Sequence, residues 1–157
     1  MQTTRQLFES LVQNLTEDIA GKSVDANLQA YLEQSYPADS AAFRQLADAC
    51  RTGIAEGWLC NREQAGIKFG RILKPGPETH DYSVDVVDMD NSTGPHHSHP
   101  NGEIDMVIPE SAAALFDGHG AGWVVYGPDS AHRPTVTEGR AIILYLLPGG
   151  KIEFTGQ

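Results

Sequence analysis

The chain changes character at Gly57, and this change constrains the fold most. Before Gly57 the sequence is rich in Ala, Leu, Gln and Glu and poor in Gly. After it come most of the 16 glycines, the β-branched runs and all six histidines. Apolar residues recurring every three or four positions bury one stripe of a helix. Short β-branched runs cut by Gly, Pro, Asn and Asp bury one face of a sheet. The sequence therefore predicts a helical segment over residues 1–57 and a β unit over residues 58–157.

Within the first part, Leu7, Leu11, Leu15 and Ile19 recur at a spacing of four, with Phe8 and Val12 beside them. Thr3 or Thr4 can cap that helix, and Gly21 ends it. A second helix is expected from about Val24 to Tyr36, stopped by Pro37. A third starts after Asp39 or Ser40, buries Phe43, Leu46, Ala47, Cys50 and Ile54, and closes at Gly57. The polar residues of these helices read as solvated faces, so the segment is expected to pack on the β unit or on a second subunit. The runs 67–73, 82–89, 103–109, 122–127, 140–147 and 151–155 read as strands, separated by clusters such as DNSTGPHH, FDGHGAG and GPDSAHRP. Six or more short strands with no helical period between them imply an antiparallel sandwich or barrel.

Several function classes are disfavoured. Eleven basic against 21 acidic residues leave a formal charge of −10, with no Lys/Arg cluster, so no nucleic-acid partner is expected. The longest apolar run, Ala141 to Leu147, is too short to span a bilayer, and no membrane partner is expected. The opening MQTTRQLFESLVQNL has no apolar leader, and Cys50 and Cys60 make no disulfide framework, so a cytoplasmic protein is expected. Cys50, on an apolar helix stripe, reads as an inert thiol. There is no nucleophile elbow, P-loop or dinucleotide fingerprint.

The chemistry concentrates in Gly94-Pro-His-His-Ser-His-Pro-Asn-Gly-Glu103. Residues i and i+2 of a strand point to one side, so His97 and His99 can face one point. A Pro-Asn-Gly turn then lets Glu103 open an adjacent antiparallel strand toward the same point. His132, in the turn GPDSAH, can supply a fourth ligand. Three imidazoles and a carboxylate suit a divalent first-row metal ion (Fe, Mn, Ni, Cu or Zn) with a position left for water or substrate. The alternatives are a histidine-lined organic pocket without metal, or loop histidines in solvent.

This pattern resembles the cupin superfamily. Its first motif is a glycine, HxH, a glutamate after three or four residues and a closing glycine; its second carries a later histidine after a Pro- and Gly-bearing turn. Gly94, His97, His99 and Glu103 follow the first, although Gly94 stands closer to the first histidine than usual and Pro109 and Glu110 stand where the closing glycine would be. His132 follows the second, with Gly127 where Pro is usual and Asp129 where Gly is usual. Over nearly the whole chain, GWLCNREQAGIKFGRILKPGP, GPHHSHPNGEIDMVIP, GAGWVVYGPDSAHRPTV and YLLPGGKIEF resemble the 4-hydroxylaminobenzoate lyase family. The resemblance implies a mainly β fold, a cupin-type antiparallel β-barrel (jelly roll) with an N-terminal α-helical segment, and a homodimer. It also implies an activity, conversion of 4-hydroxylaminobenzoate to protocatechuate and ammonia, with an aromatic acid as the small-molecule partner.

Strand parity sorts the other polar residues. Asp105 shares the face of Glu103 and can act as general acid or base, or else pairs at an edge with a surface cation. Arg71 shares parity with Ile67, Phe69 and Leu73. If that face is the core, Arg71 must find an anion: a substrate carboxylate or an acidic side chain. Trp123, Tyr126 and Tyr145 can wall the site or pack the core. His96 has the wrong parity to join the cluster, and His80 and His119 lie in separate loops. A lyase acting on an aromatic carboxylate is the leading expectation; a cupin dioxygenase or isomerase, or a small-molecule binding protein, would use the same ligands.

Overall fold

The computed structural model describes residues 2–157. Three helices come first: α1 (Thr4–Ile19), α2 (Ala26–Ser35) and α3 (Ala41–Glu56). Each start is chemically defined. The Thr3 hydroxyl accepts from Gln6 N–H while the Gln6 side chain accepts from Thr3 N–H, a reciprocal capping box. Asp25 accepts from Leu28 N–H and Ser40 from Phe43 N–H. Gly57 ends α3 at φ 86, a left-handed turn that a side chain would resist.

Ten strands follow: β1 (Arg62–Gln64), β2 (Ile67–Leu73), β3 (Tyr82–Thr93), β4 (His97–His99), β5 (Glu103–Pro109), β6 (Leu115–Phe116), β7 (Gly122–Tyr126), β8 (Ser130–His132), β9 (Thr135–Pro148) and β10 (Glu153–Phe154). All pairings are antiparallel. The larger sheet runs β1-β2-β3-β9-β5-β7 with β6 alongside β9, and the smaller runs β10-β4-β8. This is a mainly β jelly roll of two sheets, rather than a barrel closed by a continuous ladder. Strands β2 and β5 have the bounds the sequence predicts, while β3 and β9 run longer. Strands β1, β6 and β8 are two or three residues each, too short to leave a periodic signal.

Alternation divides the large sheet into two unlike faces. Its outer face presents Val84 and Val86 of β3, Ile104, Met106 and Ile108 of β5, and Ile142, Leu144 and Leu146 of β9, all in one apolar core with the helices. Phe8, Val12, Ile19, Leu28, Leu32 and Cys50 are fully or almost fully buried against that core. Burying each large apolar side chain contributes about 1.5–3 kcal/mol, so this seam is a major source of stability. Polar ties fix its register. Trp123 Nε1–H donates to Tyr36 O at 2.9 Å, Val125 N–H donates to the Gln29 side chain at 2.9 Å, and Arg51 Nε binds Glu110 at 2.8 Å. Asp18 on α1 accepts from Tyr31 (2.7 Å) and Tyr36 (2.5 Å), joining the first two helices.

The inner face carries a second core of Ile67, Met89, Val107, Phe116, Val124, Val136, Ala141, Ile143 and Tyr145. Above it, toward the small sheet, the same strands carry Glu103, Asp105 and Asp85. Cys50 and Cys60 are both free and buried, and burial pushes both thiols up, Cys60 to about 12. Among the described residues, no helix is long and apolar enough to cross a membrane.

Candidate metal centre

Two sheets build the site. In the small sheet, His97 pairs across to His132 on one side and to Phe154 on the other, so all three share a row. His99 lies two residues along β4 on the same face. The turn to β5 is closed by Gly102 at φ 90, where an added Cβ would lie 2.8 Å from Tyr126 O and 2.7 Å from Val24. That turn delivers Glu103 into the large sheet opposite Tyr126. The second turn departs from the cupin pattern in sequence. Asp129 adopts φ 64 where glycine is usual, and its N–H donates to His99 O at 2.7 Å. Aspartate tolerates the left-handed region better than most residues.

The four donors converge. His97 Nε2 lies 3.5 Å and His99 Nε2 3.2 Å from Glu103 Oε1, and His132 Nε2 lies 3.4 Å from Oε2. One ligand atom from each residue falls within 4.8 Å of the others. His99 and Glu103 are fully buried and His97 almost so.

The hydrogen bonds on the far side of each ring decide what this point can accept. His97 Nδ1 faces Pro95 O at 3.3 Å, a pure acceptor. His99 Nδ1 faces Ser130 Oγ at 2.9 Å, and Ser130 donates its own hydrogen to Gly127 O at 2.6 Å. His132 Nδ1 faces Asp117 Oδ2 at 2.6 Å. Each ring thus carries a hydrogen on Nδ1, so in its neutral form each turns an Nε2 lone pair toward one carboxylate. His97 Nε2 and His132 Nε2 stand 3.1 Å apart, and His99 Nε2 and both Glu103 oxygens are buried without a hydrogen-bond donor. A set of buried acceptors with no donor among them is costly unless a cation occupies the centre, and an N₃O set suits a divalent first-row metal. The residues fit such an ion.

The surroundings also set the charges. Burial raises the Glu103 carboxyl, but the three imidazoles packed around it, His132 first, outweigh burial and hold Glu103 well below the usual range. Burial would lower His132, but in metal-free protein Asp117 and Glu103 on its two sides favour a second proton, on Nε2, and hold it up at about 9; a bound cation would take that proton's place. Asp117, raised by burial but more strongly lowered by His132, Tyr126 and Thr135 N–H, stays a carboxylate. Asp105 is raised well above its ordinary value, by burial first and then by the neighbouring Glu103 charge.

Asp105 is fully buried two residues from Glu103, and both its oxygens lack a partner. Its cross-strand neighbour Tyr145 stands between Asp105 and Asp85, with an unpartnered buried hydroxyl. Arg71 does face inward at the end of this row, but its anion is already present. Nε and Nη2 bind Asp85 at 3.0 and 3.3 Å, and Nη2 also donates to Gly150 O at 3.3 Å. Trp123 needs correction as a wall of the site. It sits on the outer face, packed edge-on to Phe43 at 6.0 Å, because its parity is that of Met106 rather than Glu103. His96 lies apart from the cluster, bonded to Thr155 at 2.5 Å. Sequence reasoning missed Asp117, Ser130 and Phe154. Phe154 is 65% exposed with its ring 5.8 Å from His97, at the lip of the site.

The geometry fits the cupin reading, and similarity to known proteins narrows it. The model of the PnbB 4-hydroxylaminobenzoate lyase family matches residues 10–154. The chain belongs to that family. A 4-hydroxylaminobenzoate lyase of Pseudomonas putida is 33% identical over 88% of this chain and 89% of its own length. One from Nocardioides sp. (strain LMS-CY) is 30% identical over 98% and 96%. A chain from the crystal structures of the DMSP lyases RdDddP and RnDddQII shares the fold, with a TM-score of 0.54 at 13% identity, over 98% of this chain and all of that one. As a member of the 4-hydroxylaminobenzoate lyase family, within the cupin superfamily, the protein is an enzyme of lyase type. The family match runs from within α1 to the end of β10, so it takes in the helical segment as well as the strands that carry the His/Glu cluster.

Proposed function

We propose that this lyase is metal-dependent and converts 4-hydroxylaminobenzoate, with water, to protocatechuate and ammonia. The observation that carries this reading is the convergence of four donors beside an unpartnered buried carboxyl group. His97, His99, Glu103 and His132 would hold the ion, which when bound supplies Lewis acidity toward the departing hydroxyl oxygen of the substrate. The protein's own groups do the rest. Asp105, with both oxygens buried and unpartnered, is the group positioned to exchange a proton with a substrate oxygen or with water. The Tyr145 hydroxyl offers a hydrogen bond beside it. The apolar floor of Val107, Val124, Phe116 and Ile143 excludes bulk water and suits an aromatic ring. The net reaction balances with one water: the N–O and C–N bonds break, two ring C–O bonds form, the two electrons that nitrogen gains come from the ring, and nitrogen leaves as ammonia.

The test is direct turnover of 4-hydroxylaminobenzoate by purified protein. Equimolar protocatechuate and ammonia are expected, with the activity lost on chelation and restored by one first-row metal ion per chain. A His97→Ala/His99→Ala protein should hold no ion. Equal metal content in that variant and the wild type would remove the metal assignment, and absence of either product would remove the substrate.

A further inference from the structure

Among the described residues, Asp117 is the one carboxylate bonded to a donor ring from outside the centre, at the far nitrogen of His132. It follows β6 in the loop FDGHG, at φ 48, where its own N–H donates to Thr135 O at 2.8 Å. Its Oδ1 accepts from Thr135 N–H at 2.9 Å. Its Oδ2 accepts from Tyr126 O–H at 2.6 Å and faces His132 Nδ1 at 2.6 Å. Tyr126 is the cross-strand partner of Glu103, and its ring stacks on His99 at 5.7 Å and lies 4.5 Å from His132. One carboxylate therefore ties the loop, the start of β9, the end of β7 and one donor ring into a single hydrogen-bonded unit.

We propose that Asp117 is a positioning residue for the metal centre: it locks His132 in the tautomer whose Nε2 lone pair faces Glu103. This rests on the metal reading above and extends it to a residue that makes no contact with the ion. A carboxylate offers only lone pairs, so the ring nitrogen beside it must carry the hydrogen, and Nε2 is left free to donate to a cation. Among the three histidines, His132 is the one whose far nitrogen meets a charge; His97 and His99 meet a carbonyl and a hydroxyl.

The chemistry of the pocket gives a discriminating substitution. In Asp117→Asn the amide oxygen stays beside Thr135, whose backbone N–H can only donate, whereas the Tyr126 hydroxyl can rotate to accept from the amide NH₂ and the His132 ring can change tautomer. The amide NH₂ then takes the place of Oδ2 and donates toward His132 Nδ1. The ring answers by moving its hydrogen to Nε2, the atom that must ligate. In Asp117→Gly the acceptor vanishes but nothing forces the wrong tautomer. Glycine also accepts φ 48 without strain, so that variant keeps the loop.

Zinc(II) is titrated into chelator-stripped full-length protein in competition with a chromophoric chelator. Asp117→Asn should bind roughly 10–100-fold more weakly than wild type, and Asp117→Gly should lose less, although it removes more hydrogen bonds. A residue that merely holds the loop predicts the reverse order. Equal or greater loss in Asp117→Gly, or wild-type affinity in Asp117→Asn, overturns the proposal. Wild-type protein that binds no zinc would remove the metal reading itself, and this inference with it.

Discussion

The two faces of the large sheet use the same strands for opposite ends. Along β5, Ile104, Met106 and Ile108 point outward into the helices while Glu103, Asp105 and Val107 point inward, and all six are buried. On the outer face of β5 every side chain is apolar, in a core shared with the helices. On the inner face the buried polar atoms of Glu103, Asp105 and Tyr145 are left without partners. The contrast teaches that burial alone does not mark a core. An inner face that would fold more readily with leucine in place of Glu103 and Asp105 is shaped for something that arrives after folding.

The sharpest way to break this comparison is Asp105→Asn. Turnover should fall by roughly 10²–10⁴-fold, the range for losing a proton-transfer group. Stability in urea should hold, since a neutral amide of the same shape replaces a carboxyl that burial already favours in its neutral form. Unfolding of this variant would show that the inner face is structural after all. Met106→Ala makes the mirror test on the same strand. It should cost about 2–5 kcal/mol in denaturant titration while zinc affinity stays at the wild-type value.

The pH dependence sharpens the comparison further. In metal-free protein His132 is held at about 9 against an ordinary 6.5. A raised value means the folded state binds the proton more tightly, so the contribution is complete below 6.5 and lost as pH climbs through about 9. Thermal melts of chelator-treated protein should show that decline, and His132→Gln should flatten it. A profile unchanged by the substitution would mean that His132 is not gripped by Asp117 and Glu103. The smallest effect belongs to the helices. Tyr36→Phe removes one of two donors to Asp18 and should cost about 0.5–1.5 kcal/mol, leaving turnover intact.

Much of this was legible in the sequence, for reasons visible in particular residues. Thr3, Ser40 and Gly57 announce helix ends because their side chains, or lack of one, satisfy a local backbone need. The HxH and Glu103 spacing is legible because a strand's two-residue period and a three-residue turn leave little freedom. The fate of Arg71 was not, because parity gives the direction of a side chain and not its partner; Asp85 reaches it only through the pairing of β2 with β3. Trp123 was undecided because both faces of β7 are apolar. Asp117 sits in a glycine-rich turn where aspartate is ordinary, and only the fold places it on His132. Asp129 shows the converse, an unusual residue at a glycine position that the backbone accommodates.

Both tryptophans lie on one side of the large sheet: Trp123 against Phe43 and Tyr36, and Trp58 edge-on to Phe8 at 5.6 Å. Intrinsic fluorescence of this protein is therefore a gauge of the helix–sheet seam. Its emission should track water reaching that seam during denaturation, and stay largely indifferent to what occupies the space between the sheets. A red shift recorded while product still forms would catch the helices lifting from a jelly roll that continues to work.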